Sequence, residues 1–327
     1  MRCTNRKQIK IAAIALSVIF LLSGCGNLKY DFPYDAEYGV SSFKITNPQK
    51  SQIASSFALN LCIVDKDYIL DTVDLEDAGA ACLFDVGNAN VIYSKNAHER
   101  LNPASLTKIM TALVAVKNGT MDQILTATDA VNITEPGAQL CKLKKGDSMT
   151  LEQALHILLM YSANDVANLI ADNLGGSVDA FIEMMNEEAI RIGATNTHFS
   201  NAHGLTQENH YTTAYDMYLI FNEALKYESI KQIIHMTSYN TVYKDSDGND
   251  KEISVKATNR YFKGDFNPPE KVTVMGGKTG TTDAAGHCLI LLSKDTSGNS
   301  YISVILREPS SDDLYDDMTD LLEEINK

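Results

Sequence analysis

Pro103-Ala104-Ser105-Leu106-Thr107-Lys108 sets a hydroxyl and an amine three residues apart. On a helix, residues at that spacing stand one turn apart on the same face. The residues that follow support a helix: Leu106, Ile109, Met110, Leu113, Val114 and Val116 recur at the spacing of a buried stripe. Pro103 suits a helix start, where its missing N–H is not needed. Ser105 then sits near the first turn, where free N–H groups and the helix dipole favour developing negative charge. An amine one turn away can activate such a hydroxyl as a nucleophile. The same spacing also describes a helix-start Ser with a surface Lys, and Ser41-Ser42-Phe43-Lys44 repeats it with no helical period behind it. Elements further along the chain separate the two readings.

The 327 residues suffice for one large domain or two small ones. Arg2, Arg6, Lys7 and Lys10 precede an apolar run from Ile11 to Leu22, and Leu22-Ser23-Gly24-Cys25 follows. The run is short for a membrane span and reads as a secretory leader. Small residues before a Cys resemble the lipobox of bacterial lipoproteins. The expectation is cleavage of residues 1–24, acylation of Cys25, and a body outside the cytoplasmic membrane held by its N-terminus. Loss of residues 1–24 takes the formal charge from −14 to −18, which disfavours nucleic acid and anionic lipid as partners. An anionic substrate must therefore be drawn by local lysines. Cys62, Cys82, Cys141 and Cys288 admit three pairings but show no metal-ligand spacing, and isolated buried thiols are expected.

Residues 25–78 read as a tether with a short hairpin around Asp65-Lys66, and the compact domain as residues 79–327. Two strands, Ala80 to Val86 and Val91 to Ser94, flank a turn at Gly87-Asn88. The Ser105 helix stops at Asn118-Gly119. Residues 120–149 are turn-rich. Thr150-Leu151-Glu152-Gln153 then forms a capping-box pattern before an apolar helix to Tyr161. Helices are expected over Asn164 to Leu174, Val178 to Ile192, Thr213 to Lys226 and Ser229 to His235. A hairpin about Asp247-Gly248 follows, then strands at Lys271 to Met275, His287 to Leu292 and Tyr301 to Leu306, and a helix from Asp312 to Ile325. The expected class is α/β in the broad sense (α+β): an antiparallel sheet flanked by helices, with an inserted helical lobe.

Two more elements fall into place. Ser162-Ala163-Asn164 lies between two helices, and Lys278-Thr279-Gly280 follows a strand. Ser-x-Asn recurs at Ser238-Tyr239-Asn240 and Ser297-Gly298-Asn299 in other settings, whereas Lys-Thr-Gly occurs once. Taken in order, the three elements resemble the penicillin-recognising serine enzymes, whose fold is the β-lactamase/transpeptidase-like one. The wider context resembles the D-alanyl-D-alanine carboxypeptidases, the small penicillin-binding proteins. Phe84-Asp85 through Tyr93-Ser94-Lys95-Asn96, PASLTKIMTAL at 103–113, SANDVANLIA at 162–171, FSNAHGL at 199–205 and GGKTGTT at 276–282 carry that resemblance. It covers roughly residues 79–327. Ala163 is a departure from class A β-lactamases, which usually carry Asp there. Thr281 stands where some relatives have His or Tyr. Many relatives add a C-terminal β-domain and a membrane helix, in place of which the lipid on Cys25 would serve.

The resemblance implies a peptidoglycan stem peptide ending in D-Ala-D-Ala as substrate, β-lactams as inhibitors, and no cofactor. It implies Ser105 as nucleophile, Lys108 as base, and Ser162 as proton relay to the leaving amine. Asn164 would hold the peptide and orient Lys108, and Lys278, Thr279 and Thr281 would bind the terminal carboxylate. Gly280 would let the substrate lie along the strand edge, and the N–H groups of Ser105 and Thr281 would form the oxyanion hole.

A class A β-lactamase is the nearest rival, but no Glu between Asn164 and Lys278 has Asn four residues on, as that class requires. A non-catalytic wall-binding or β-lactam-sensing lipoprotein is the other, and an intact nucleophile set argues against it. Gly277-Lys278-Thr279 fails as a P-loop, since the earlier glycine position is Val272. Asp245-x-Asp247-Gly248 fails as a calcium loop, whose ends would be Tyr243 and Ser254. The seven histidines show no His-x-x-x-His pair, so no zinc is expected, and His203 reads as a structural loop residue.

Overall fold

The apolar runs at the two ends of the domain meet in one sheet. In the computed structural model, which describes residues 60–327, five strands pair antiparallel in the order β2-β1-β9-β8-β7. They are β1 (Ala80–Asp85), β2 (Asn90–Lys95), β7 (Thr273–Thr282), β8 (Gly286–Lys294) and β9 (Ser300–Glu308). Successive side chains of a strand face opposite ways. Ala80, Cys82, Phe84, Ile290, Ile302, Val304 and Leu306 accordingly enter the core shared with the helical lobe. Ala81, Leu83, Leu289, Leu291 and Ile305 enter the core beneath the last helix. Both faces are covered, so these strands read as continuous apolar runs. That last helix, α8 (Ser311–Glu323), is capped by Ser310, whose side chain accepts from the Asp313 N–H. Its buried Leu314, Tyr315, Met318, Leu321 and Leu322 lie on one stripe, each contributing roughly 1.5–3 kcal/mol of burial.

Between β2 and β7 the chain builds the helical lobe. Helix α1 (Thr107–Asn118) is buried without a break from Thr107 to Ala115, Lys108 included. Helix α2 (Leu151–His156) starts at the expected capping box, with both bonds between Thr150 and Gln153 formed. Helices α3 (Asn164–Gly175), α4 (Val178–Ile192), α5 (Ala214–Ala224) and α6 (Glu228–His235) agree with the sequence-based expectation to within two residues, and α7 (Arg260–Lys263) is a single further turn. A second sheet, β3-β4-β5-β6, was only half expected. The hairpin is β5 (Ser238–Lys244) and β6 (Asp250–Lys256), but β3 (Ile124–Thr126) and β4 (Ser148–Thr150) arise in the turn-rich stretch. Three residues are too few to show a period-two pattern.

Two expectations need correction. Residues 60–78, assigned to the tether, lie against the body: Cys62, Val64, Val73 and Leu75 are buried. The Cys62 N–H donates to the Tyr218 hydroxyl, and His98 Nε2 bonds the Val64 carbonyl. Among the described residues no hairpin forms about Asp65-Lys66; Tyr68 instead makes a single bridge to Ser94 on the β2 edge. The leader over 1–24, Cys25 and the upstream part of the tether lie outside the described residues. The four later cysteines are free thiols, three of them buried. A chain started at residue 79 will therefore melt several degrees below one started at residue 60, since burying each of those side chains is worth roughly 1 kcal/mol or more. Circular dichroism melts of the two check this, and equal midpoints would refute it.

Candidate active site

The nucleophile turn is built on a strained residue. Ala104 to Leu106 form one tight 3₁₀ turn ahead of α1, and Ala104 has φ +47°, a region non-glycine residues rarely occupy. Strain of this kind persists only where the surroundings over-determine it. Ser105 is thus held at the N-terminal end of a twelve-residue helix.

Lys108 stands one turn along and is fully buried. Its Nζ lies 2.9 Å from Ser105 Oγ, 2.6 Å from Asn164 Oδ1 and 2.5 Å from the His203 carbonyl oxygen. Burial, and then the charge of Lys278, hold its amine well below the ordinary lysine pKa; Asp165 opposes this only in part.

Ser162 and Asn164 are delivered by a break between α2 and α3. Residues Ile157–Tyr161 form a π turn, closed by the Ser162 N–H donating to the Ile157 carbonyl. Ser162 itself is left-handed, at φ +69°. The sequence pattern gave a plain helix to Tyr161; the wider turn re-aims the chain, as such bulges often do at functional sites. The Asn164 N–H donates to the Gln139 carbonyl, and the Asp165 carboxylate accepts from the N–H groups of Cys141 and Leu143. The loop over 139–143 is thereby pinned beside the site.

Lys278-Thr279-Gly280 lies inside β7 rather than after it, on a strand at the edge of the sheet. The sequence reading stopped the strand at Met275 because Gly276, Gly277 and Gly280 look like breakers. Here glycine is needed for close approach. A Cβ at Gly277 would sit 1.9 Å from the Ile290 carbonyl oxygen, and one at Gly280 would sit 2.9 Å from Ser105 N. Lys278 Nζ donates to Ser162 Oγ at 3.0 Å and to the Thr279 carbonyl at 2.8 Å. Burial pushes its pKa down to about 7. Thr279 Oγ1 pairs with Thr258 Oγ1 at 2.6 Å, and Thr281 Oγ1 lies 3.2 Å from His287 Nδ1.

Ser105, Lys108, Ser162, Asn164, Lys278 and Gly280 therefore meet in one place, with Thr279 and Thr281 on the adjoining strand. A cleft of about 610 Å³ opens beside Thr281, lined by Glu135, Pro136, Leu205, Thr206 and Asp283 among others. Sequence reading missed the His203 carbonyl, Gly204 and Thr258. The FSNAHGL segment was visible, but nothing in its residue types says that a main-chain oxygen is the contact. The His203 side chain is structural, its Nδ1 accepting from the Leu205 N–H. Among the described residues, no three His, Cys, Asp or Glu side chains gather where they could hold a metal ion.

The family model "D-alanyl-D-alanine carboxypeptidase" (peptidase S11) matches residues 71–310. The chain is 37% identical to D-alanyl-D-alanine carboxypeptidase DacF of Bacillus subtilis, over 67% of this chain and 54% of that protein. It is 33% identical to DacC of Escherichia coli, over 70% and 56%. The chain thus spans about half the length of the curated relatives it matches. Among solved structures, the Streptomyces K15 DD-transpeptidase superposes with a TM-score of 0.71 at 26% identity, covering 77% of this chain and 98% of that one. The carboxypeptidase DacD of Francisella tularensis gives 0.66 at 26% identity, over 81% and 74%. Matched through both sheet halves and the lobe between them, this chain belongs to the D-alanyl-D-alanine carboxypeptidase family of penicillin-binding folds.

Proposed function

We propose that the protein is a serine D-Ala-D-Ala carboxypeptidase that trims peptidoglycan stem peptides through an acyl-enzyme on Ser105. One observation carries the reading: the three partners of Lys108 Nζ. A neutral amine has two N–H donors and one lone pair. The Asn164 and His203 oxygens can only accept, so they take both N–H groups. The lone pair is left for the Ser105 hydroxyl, which is the arrangement a general base requires.

The reaction then runs in two steps. Ser105 Oγ attacks the carbonyl of the penultimate D-Ala while Lys108 takes its proton, and the oxyanion is held by the N–H groups of Ser105 and Thr281. Ser162, bonded to Lys278, hands its proton to the departing amine and is reprotonated with the proton Lys108 took from Ser105, so the terminal D-Ala leaves and Lys108 is a free amine again. Water then cleaves the ester, with Lys108 again as base. Lys278 and the hydroxyls of Thr279 and Thr281 bind the terminal carboxylate, supplying local positive charge in an acidic body. Rather than clearing space for the peptide as the resemblance implied, Gly280 lets the strand edge close onto the nucleophile turn, where a Cβ would fall 2.9 Å from Ser105 N. β-Lactams acylate Ser105 by the same attack and persist where deacylation is slow. We further propose that acylated Cys25 holds the protein at the outer face of the cytoplasmic membrane, which radiolabelled palmitate incorporation lost in Cys25→Ala would test.

The deciding assay is D-Ala release from a synthetic stem pentapeptide, paired with mass mapping of a penicilloyl adduct. The expected outcome is steady D-Ala release and one adduct, on the peptide containing Ser105. Rapid turnover of the β-lactam would favour the β-lactamase rival, and neither release nor adduct would favour the non-catalytic one.

A further inference from the structure

His210 is buried, belongs to none of the motifs above, and takes no part in the reaction as written. Its two ring nitrogens are both engaged: Nδ1 accepts from the Ser200 N–H at 2.9 Å, and Nε2 lies 2.8 Å from Thr107 Oγ1. With Nδ1 an acceptor, the neutral ring carries its proton on Nε2 and donates to Thr107. The Thr107 hydroxyl then spends its own proton on the Ala104 carbonyl, 2.8 Å away. Each link thus has one direction: Ser200 to His210 to Thr107 to Ala104. Burial, followed by the charges of His198 and Lys108, pushes the His210 pKa down to about 4, so the ring stays neutral near pH 7.

What the chain ends on matters. The Ala104 carbonyl and the Ser105 N–H belong to one planar trans peptide unit, so fixing the oxygen fixes the opposite direction of the N–H. That peptide follows the residue at φ +47°, where left-handed strain would otherwise relax. A second restraint acts on the same atom: a Cβ on Gly204 would fall 1.9 Å from the Ala104 oxygen, so the loop backbone closes down upon it. The loop is in turn fastened to α1 by Thr111 Oγ1 donating to the Ala202 carbonyl at 2.6 Å.

We propose that His210 and Thr107 are positioning residues for acylation, a directed hydrogen-bond chain that locks the Ala104–Ser105 peptide plane and so aims the Ser105 N–H at the oxygen of the attacked carbonyl. This rests on the acyl-transfer reading above. Thr107 is therefore more than a helix residue between the nucleophile and its base, and His210 acts without touching substrate.

The test is the time course of acylation by a fluorescent penicillin, resolved into the pre-covalent binding constant and the acylation rate. Removing one oxyanion donor outright costs about 10²–10³-fold, so a misaimed donor in Thr107→Val is expected to slow acylation about 10–100-fold. The binding constant should stay within about threefold, as it does when only the transition state is affected. Thr107→Ser, which restores the hydroxyl, should acylate within about threefold of wild type. His210→Ala should reproduce the Thr107→Val defect and serves if that variant does not fold, as thermal melts will reveal. A folded Thr107→Val or His210→Ala acylating at the wild-type rate overturns the proposal, as does a defect confined to binding or shared by Thr107→Ser. Absence of labelling in the wild type would instead sink the acyl-transfer reading, and this one with it.

Discussion

Ser105→Ala and Lys108→Met will each lower D-Ala release by about a thousandfold or more, and the double variant will lower it no further. The two side chains form one device. Without the hydroxyl, the amine has no proton to take; without the amine, the hydroxyl is an unactivated alcohol at neutral pH. Lys108→Met fills the buried slot with a side chain of similar length, so the loss reports chemistry rather than collapse. It leaves the Asn164 and His203 oxygens without their shared donor, at a cost of roughly 1–3 kcal/mol for each unsatisfied group, so melting points should accompany the rates. Multiplying losses in the double variant would show that the two residues act independently, against the reading of Lys108 as the base for Ser105.

The same pair predicts a pH profile whose signs follow from burial. Lys108 works only as the free amine, so activity falls as pH drops through its depressed pKa. Lys278 binds the carboxylate only as the cation, so kcat/KM, which reports the free enzyme, falls again as that proton is lost with a pKa of about 7. Bound carboxylate stabilises the Lys278 cation and raises its pKa. The alkaline limb in kcat must therefore lie at higher pH than the limb in kcat/KM. Coincident limbs would mean that Lys278 does not meet the carboxylate.

How much of this was legible in the chain depended on the kind of signal. Ser105, Lys108, Ser162, Asn164 and Lys278 carry their chemistry in their side chains, and the structure brings all five together. The long helices announced themselves by apolar period and the β8–β9 core by continuous apolar runs. What stayed hidden was backbone. The His203 carbonyl, the left-handed turns at Ala104 and Ser162, and the π turn before Ser162 are main-chain features that no residue type spells out. Residues 60–78 were misread for a related reason: with few regular backbone bonds they show no period, and their buried side chains and isolated bonds such as the Tyr68–Ser94 bridge tie them to the body. The continuation of β7 through Gly276, Gly277 and Gly280 was lost because glycine signals a break locally and a close approach only in three dimensions.

That last point yields the second large effect, for Gly280→Ala. The added methyl would meet Ser105 N at 2.9 Å, Ala104 Cβ at 3.0 Å and the Pro103 oxygen at 3.2 Å. All three belong to the nucleophile turn, two are backbone atoms, and none is the far end of a flexible side chain. Either β7 or the turn must give by a few tenths of an ångström. The sheet resists, because β7 is paired with β8 without a break from Gly276 to Thr282. The turn resists as well, because Thr107 and Gly204 fix the Ala104 carbonyl. Whichever yields, the two N–H groups assigned to the oxyanion hole, on Ser105 and Thr281, move apart, since one rides on each body. A misplacement of about 1 Å costs about 10²-fold in rate, so a shift of a few tenths is expected to cost about tenfold, whereas Gly-to-Ala in an extended strand should change stability by only about 1 kcal/mol. Acylation rate and melting point measured on the same Gly280→Ala sample separate the two. A large drop in rate with a small drop in melting point is expected, and an unchanged rate would mean that the strand edge and the nucleophile turn do not act as one site.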